Sequence, residues 1–142
     1  MPAITPCPAC GKKNRVPVAA SGTPVCGVCG ATLPWLTDAT TATFADATDA
    51  GVPVLVDLWA PWCGPCRMVA PVLEQLAHDR AGRLKVVKVN VDDEPQISAR
   101  YGVQGIPTML LFEGGELVGR QTGALPAEPL ARWIDETVGS RP

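Results

Sequence analysis

Six cysteines arranged as three Cys-x-x-Cys pairs constrain this chain more than any other feature. Two pairs, Cys7-Pro-Ala-Cys10-Gly11 and Cys26-Gly-Val-Cys29-Gly30, are near copies lying within the first thirty positions. The third, Cys63-Gly64-Pro65-Cys66, stands where an apolar run gives way to a helical pattern. Thiols at this spacing hold a metal, staple a fold or exchange electrons, so the six have to be assigned together.

The segment up to residue 35 is rich in Gly, Pro and Cys, shows no sustained helical period, and is too small to bury a core alone. Its cysteine spacing fits the four-cysteine zinc pattern. Each pair can present two thiolates on one side of a tight turn, and the glycine that follows permits the bend that aims amides at sulfur. Cys7, Cys10, Cys26 and Cys29 are therefore expected to hold one Zn2+, in a structural site with no open coordination position. Spare thiols or two local disulfides are the competing reading.

Residues 1–35 are thus expected to be a small zinc-ribbon-like module and residues 36–142 a second, larger domain. With 142 residues and 46% hydrophobic side chains, the chain can form one packed domain plus an appendage. Lys12, Lys13 and Arg15 precede Thr37 with no acidic residue among them, although the whole chain carries a net charge of −2. A basic zinc ribbon suggests nucleic acid, but four thiolates around one Zn2+ contribute about −2 and cancel most of that charge. No nucleic acid partner is expected. Met1-Pro-Ala-Ile-Thr-Pro-Cys7 lacks the pattern of an export signal, and the most apolar stretch, Val52 to Trp62, is too short and broken to span a bilayer. The reading is a cytoplasmic, membrane-free monomer, in a compartment where thiols stay reduced.

Beyond Leu36 the elements alternate. Thr40 to Ala50 suggests a helix, and Val52 to Trp59 is a continuous β-branched and apolar run, as in a strand buried on both faces. Val69, Val72, Leu73 and Leu76 mark an amphipathic helix that contains Pro71 and is ended by Gly82. Leu84 to Val91 predicts a strand, and Pro95 to Tyr101 a short helix. Thr108 to Phe112 and Leu117 to Gln121 predict a hairpin, followed by a last helix bearing Leu130, Trp133, Ile134 and Val138. The order βαβαββα implies an α/β domain, a central mixed sheet with flanking helices. His78 falls on the polar side of its helix. Met68, Met109 and Phe112 read as core or near-core fillers, and Asp92-Asp93-Glu94 as the entry to a helix and not a metal site.

Once the upstream cysteines fill a zinc site, Cys63 and Cys66 lack partners for a second and remain as a dithiol. Cys63 closes the loop after a buried strand, and Pro65 sits in the first turn of a helix, where a missing N–H costs little. The free amides and positive dipole end of that helix favour the Cys63 thiolate. Asp57, between Val56 and Leu58 in the strand, is expected to be buried with a raised pKa.

The stretch Trp59-Ala-Pro-Trp62-Cys63-Gly64-Pro65-Cys66 resembles the active site of the thioredoxin family. The resemblance runs from about residue 36 to the C-terminus and includes Asp57, Pro71, Lys88, Ile106-Pro107 and Gly123-Ala124. With its four-cysteine leader, the whole chain is similar to the zinc-binding bacterial thioredoxin 2 type of that family.

This resemblance implies a general protein-disulfide reductase on a thioredoxin fold. Cys63 would attack a substrate disulfide and Cys66 would release the reduced product. Asp57 would take a proton from Cys66, whether or not it pairs with Lys88. It also implies a cis Ile106–Pro107 bond beside the thiols and a collar of Trp62, Gly64, Pro65, Gly105, Ile106, Pro107, Gly123 and Ala124 for protein substrates, with Trp59 and Lys88 as supports. Electrons would come from an NADPH-dependent thioredoxin reductase, since the chain has no nucleotide-binding loop of its own and needs no bound flavin. Two further readings share these features: a disulfide oxidase or isomerase, and a partner-binding or stress-sensing protein driven by the zinc module.

Overall fold

The computed structural model describes residues 3–20 and 22–139, so Met1 and Pro2, part of the start read above as lacking an export signal, lie outside it. Eleven elements follow one another: β1 Ala3–Pro6, β2 Lys13–Val16, β3 Trp35–Asp38, α1 Phe44–Thr48, β4 Val54–Trp59, α2 Gly64–Asp79, β5 Lys85–Asn90, α3 Pro95–Arg100, β6 Thr108–Glu113, β7 Glu116–Thr122 and α4 Ala127–Gly139.

The apolar run becomes β4, near the middle of a five-stranded sheet of order β3-β5-β4-β6-β7. β3, β5 and β4 are parallel, and β6 and β7 are antiparallel additions. Alternation along β4 divides the core. Val54, Val56 and Leu58 pack with Phe44, Val87, Val89, Ile97, Leu110 and Phe112 on the side of α1 and α3. Leu55 packs with Val69, Leu73, Val86, Leu111, Leu130 and Ile134 on the side of α2 and α4. Asp57, two residues after Leu55, takes the α2 side as well. Leu73 is fully buried there, and truncating such a side chain to alanine costs roughly 3 kcal/mol.

The expected mixed sheet with flanking helices is present, with one strand, β3, more than the sequence suggests, and β1 and β2 form a further two-stranded sheet apart from it. β3 is a four-residue edge strand that buries Trp35 and Thr37, with Leu36 half-buried and Asp38 exposed, an alternation too short to stand out in the sequence. β1 and β2 pair antiparallel to each other, yet carry Pro6, Lys13, Asn14 and Arg15, residues that conceal strand character. The helix expected over Thr40 to Ala50 shrinks to Phe44–Thr48. Upstream, the Thr40 amide donates to Thr43 Oγ1 at 2.9 Å, so a threonine side chain there competes with helical bonding. Met68, expected in or near the core, is 73% exposed on α2. The Gly114-Gly115 turn joins β6 to β7 with φ of 57° and 82°, as a two-residue hairpin of this twist requires.

The N-terminal segment has its own cluster: Cys7, Val16, Cys26, Leu33 and Trp35, packed against Ala50 and Val52. It therefore sits at the end of the sheet where β3 and β4 begin. Trp35 Nε1 donates to the carbonyl of Pro17 at 2.8 Å. Lys85, the first residue of β5, is wholly buried beneath this segment. Its ammonium donates to the carbonyls of Val18 (2.5 Å) and Ala47 (2.8 Å) and lies 4.4 Å from the centre of the Trp35 ring. Among the described residues no helix is long and apolar enough to cross a membrane.

Candidate active site and four-cysteine centre

At the other end of β4 the chain leaves the sheet through Ala60 and Pro61 and starts α2. Cys63 is the N-cap residue of α2, with Pro65 in the first turn. The Cys66 amide donates to Cys63 Sγ at 3.2 Å, and the two residues are joined as a disulfide with Cα atoms 5.2 Å apart. A helix N-terminus offers unpaired amides and a positive dipole end, both of which favour negative charge on the capping atom. In the reduced protein the thiolate is therefore stabilised at Cys63 rather than at Cys66, whose place is one turn inside the helix.

Around the pair stand residues from three other segments. The Ile106–Pro107 bond is cis, and the Ile106 carbonyl oxygen lies 3.7 Å from Cys63 Sγ. The Gly123 amide donates to the Pro107 carbonyl at 2.8 Å, which binds the Gly123-Ala124 loop to the same rim. Trp62 is 66% exposed beside the pair, and its Nε1 donates to Asp92 Oδ2 at 2.9 Å. Gly64 is half-buried, while Pro65, Gly105 and Ala124 are exposed. A groove of about 380 Å3 runs between Trp62 and Ile106, lined also by Val91, Ser98, Val103, Gln104 and Gly105. Val91, Ser98, Val103 and Gln104 belong to no sequence motif and reach the site only through the fold.

In β4, three residues before Ala60, Asp57 is fully buried and neither carboxylate oxygen has a hydrogen-bond partner. Burial pushes its pKa up to about 7, against the opposing attraction of Lys88. Lys88 is the register partner of Asp57 in the sheet, yet its ammonium lies over the Trp59 ring, 4.6 Å from the centroid. The two therefore interact through space without a hydrogen bond. His78 is exposed, as expected. The acidic run before α3 does more than start a helix: Glu94 has no side-chain capping bond and instead accepts from the Thr41 amide and hydroxyl, while Asp92 holds Trp62.

At the far end of the sheet, the sulfurs of Cys7, Cys10, Cys26 and Cys29 all lie within 4.8 Å of one another. Gly11 and Gly30 have φ of 79° and 77° and return their amides to the carbonyls of Cys7 and Cys26, which closes each knuckle. Cys7 Sγ is 3.5 Å from Cys29 Sγ, and Cys10 Sγ is 3.6 Å from Cys26 Sγ. Four sulfurs at about 2.3 Å from a central ion in a tetrahedron would stand roughly 3.8 Å apart, so the set fits a metal of that kind. The electrostatics agree. The amides of Cys29 and Val28 lower the Cys26 thiol to about 6. Cys10, exposed as a residue, is pushed up to about 12 despite the Lys12 amide, by loss of water around its sulfur and by the neighbouring sulfurs of Cys26, Cys29 and Cys7. Four thiolates in this space repel one another unless a cation lies between them.

The thioredoxin family model matches residues 35–136. Thioredoxin 1 of Nostoc sp. is 50% identical over 91 residues, covering 64% of this chain and 85% of that protein. Thioredoxin of Haemophilus influenzae is 50% identical over 90 residues, covering 63% and 84%. Thioredoxin 1 of Synechococcus elongatus is 47% identical over 98 residues, covering 68% and 92%. The four metal-compatible cysteines precede the matched region, and Cys63 and Cys66 lie inside it. With the fold, the dithiol at a helix N-terminus and these relatives in agreement, the chain belongs to the thioredoxin family of protein-disulfide oxidoreductases.

Proposed function

We propose that this protein is a general protein-disulfide reductase of the zinc-binding thioredoxin 2 type. The observation that carries the reading is Cys63 at the N-cap of α2, with the Cys66 amide on its sulfur and Cys66 in bonding range. In the reduced form, the Cys63 thiolate attacks a substrate disulfide; one substrate sulfur bonds to Cys63 and the other leaves as a thiolate. Cys66 then loses its proton and attacks Cys63 Sγ, the mixed disulfide breaks, and the substrate departs with two thiols. The protein retains the Cys63–Cys66 disulfide. Two electrons have passed to the substrate.

Asp57 acts as the base for Cys66. A carboxylate held near neutrality can accept a proton and give it up again at working pH, whereas an ordinary one cannot. Trp62, Gly64, Pro65, Gly105, Ile106, Pro107, Gly123 and Ala124 form the substrate collar. The Ile106 carbonyl beside Cys63 offers an extended client segment a backbone acceptor. Trp59 and Lys88 support the site from below, Lys88 by its position over the Trp59 ring.

Recharging falls to an NADPH-dependent thioredoxin reductase, and the working compartment is the cytoplasm, with the protein as a monomer. Residues 1–35 form a zinc module in which Cys7, Cys10, Cys26 and Cys29 hold one Zn2+, and residues 36–142 form the redox domain. Bound zinc supplies a cross-link that a segment this small needs in place of a larger core.

The test uses a Cys66→Ser variant, which can attack but not resolve. It should accumulate mixed disulfides with many cellular proteins through Cys63, seen as shifted bands that dithiothreitol removes. Absence of such adducts, with the variant folded, would refute the reading.

A further inference from the structure

The two thiol centres occupy opposite ends of one sheet. Cys63, Cys66, Trp59 and Ile106 cluster beyond the end of β4, while Cys7, Cys26 and Trp35 pack against Ala50 and Val52 ahead of its start. The six residues of β4 separate them by about 16 Å. Disulfide exchange needs sulfur in contact with sulfur, so within one folded chain the dithiol never reaches the four-cysteine centre.

The centre is nevertheless built as an accessible disulfide client. Two close approaches run across the knuckles, Cys7 Sγ to Cys29 Sγ and Cys10 Sγ to Cys26 Sγ, at 3.5 and 3.6 Å. Each such pair joins one buried residue, Cys7 or Cys26, to one exposed residue, Cys29 or Cys10. A disulfide across each pair would expose one sulfur to attack and keep the leaving sulfur in its knuckle, where for Cys26 the Val28 amide already donates at 3.4 Å. Val28, directly before Cys29, is 69% exposed and sets an apolar side chain beside the sulfur open to attack, while Trp62 and Ile106 line a groove beside the dithiol.

We propose that the oxidised four-cysteine module of one molecule, closed by Cys7–Cys29 and Cys10–Cys26 disulfides, is a substrate for the Cys63–Cys66 dithiol of a second molecule. The inference rests on the reductase reading above. A hydroperoxide supplies the oxidation: it takes two electrons from each thiol pair, the disulfide forms, and the peroxide leaves as alcohol and water. The Cys63 thiolate of the second copy then attacks Cys29 Sγ, and the Cys7–Cys29 bond breaks with Cys7 leaving as a thiolate. Cys66 attacks Cys63, and Cys29 leaves in turn. A second reduced dithiol opens Cys10–Cys26 in the same way, so two reductant molecules restore four thiols and with them the donor set for metal.

The experiment uses the full chain carrying Cys63→Ser and Cys66→Ser as client, metal-stripped with a chelator and oxidised with hydrogen peroxide. Peptide mass mapping should find Cys7 joined to Cys29 and Cys10 to Cys26; Cys7–Cys10 and Cys26–Cys29 instead would overturn the pairing. Reduced full-length protein is then added, and client thiols are counted by maleimide mass shift. The expected result is a rise to four thiols, first order in each chain, at least ~100-fold faster than with a Cys63→Ser attacker, and followed by Zn2+ uptake read with a metallochromic indicator. Insulin runs in parallel. Insulin reduced while the client stays oxidised would overturn this inference and leave the reductase reading intact; neither reduced would overturn both.

Discussion

The same spacing, Cys-x-x-Cys, takes two different geometries in this molecule, and the backbone between the sulfurs decides which. In the knuckles, Gly11 and Gly30 take left-handed conformations, the chain returns on itself, and the sulfurs of two pairs converge on a common point. In the third pair, Gly64-Pro65 starts a sixteen-residue helix, so Cys63 becomes its N-cap with an amide on its sulfur and no second pair opposite. Four converging thiolates need a cation, whereas one thiolate at a helix end needs a partner to attack. Spacing alone carries neither function.

The sharpest way to break this contrast is to exchange the losses. Cys63→Ser should reduce insulin-disulfide turnover at least ~1000-fold, because no other sulfur stands at a helix N-terminus beside the groove; thiol titration should show the metal centre unaffected. Cys26→Ser should do the reverse. Metal content, read by mass spectrometry under native conditions, should fall from about one zinc per chain to near zero, since a structural site of this type binds by roughly 10 kcal/mol or more when complete. Insulin reduction should stay within about threefold of the parent, because the centres lie at opposite ends of β4.

Asp57 sharpens the comparison on the redox side. Its folded pKa, near 7, exceeds that of an exposed aspartate, so the folded state binds this proton more tightly than the unfolded chain does. The favourable contribution is complete below about pH 4 and is lost as pH rises through 7. Asp57→Asn should leave stability at pH 4 unchanged and raise it by roughly 4 kcal/mol at pH 8, by urea denaturation. The same variant should slow resolution of mixed disulfides about tenfold at pH 7. On the module side, Lys85 has its pKa lowered to about 8 by burial. Between pH 8 and 10 the unfolded chain binds a proton that the folded state has released, so stability rises with pH; Lys85→Met should remove that rise, a change of roughly 1 kcal/mol.

The sequence exposed the redox site because its chemistry is local. Cys63, Pro65 and Cys66 fix a helix start within four residues, and Asp57 in an apolar run announces a buried acid. The cysteine spacing upstream was legible for the same reason. What remained hidden depends on contacts between distant segments. Lys85 reads as an ordinary strand lysine until Val18 and Ala47, 67 and 38 residues away in sequence, bring their carbonyls to it. Trp62 reads as collar alone until Asp92, thirty residues on, fixes its indole. β1, β2 and β3 escaped because each is only four residues long, too short for alternation to show in the sequence, and each is held by pairing with another strand. Met68 followed the apolar rule and breaks it, standing exposed near a shallow groove lined by Val72, Ala124 and Leu125.

The central claim is that one sulfur of the six is activated for attack, and peptide-resolved alkylation measures it directly. The reduced, zinc-loaded protein is treated with limiting iodoacetamide between pH 5 and 9, and each cysteine is quantified by mass spectrometry. Cys63 should react first at pH 7, with Cys66 and the four module cysteines spared. Modification of Cys63 no faster than Cys66, or preferential labelling of Cys7, Cys10, Cys26 or Cys29, would contradict the account.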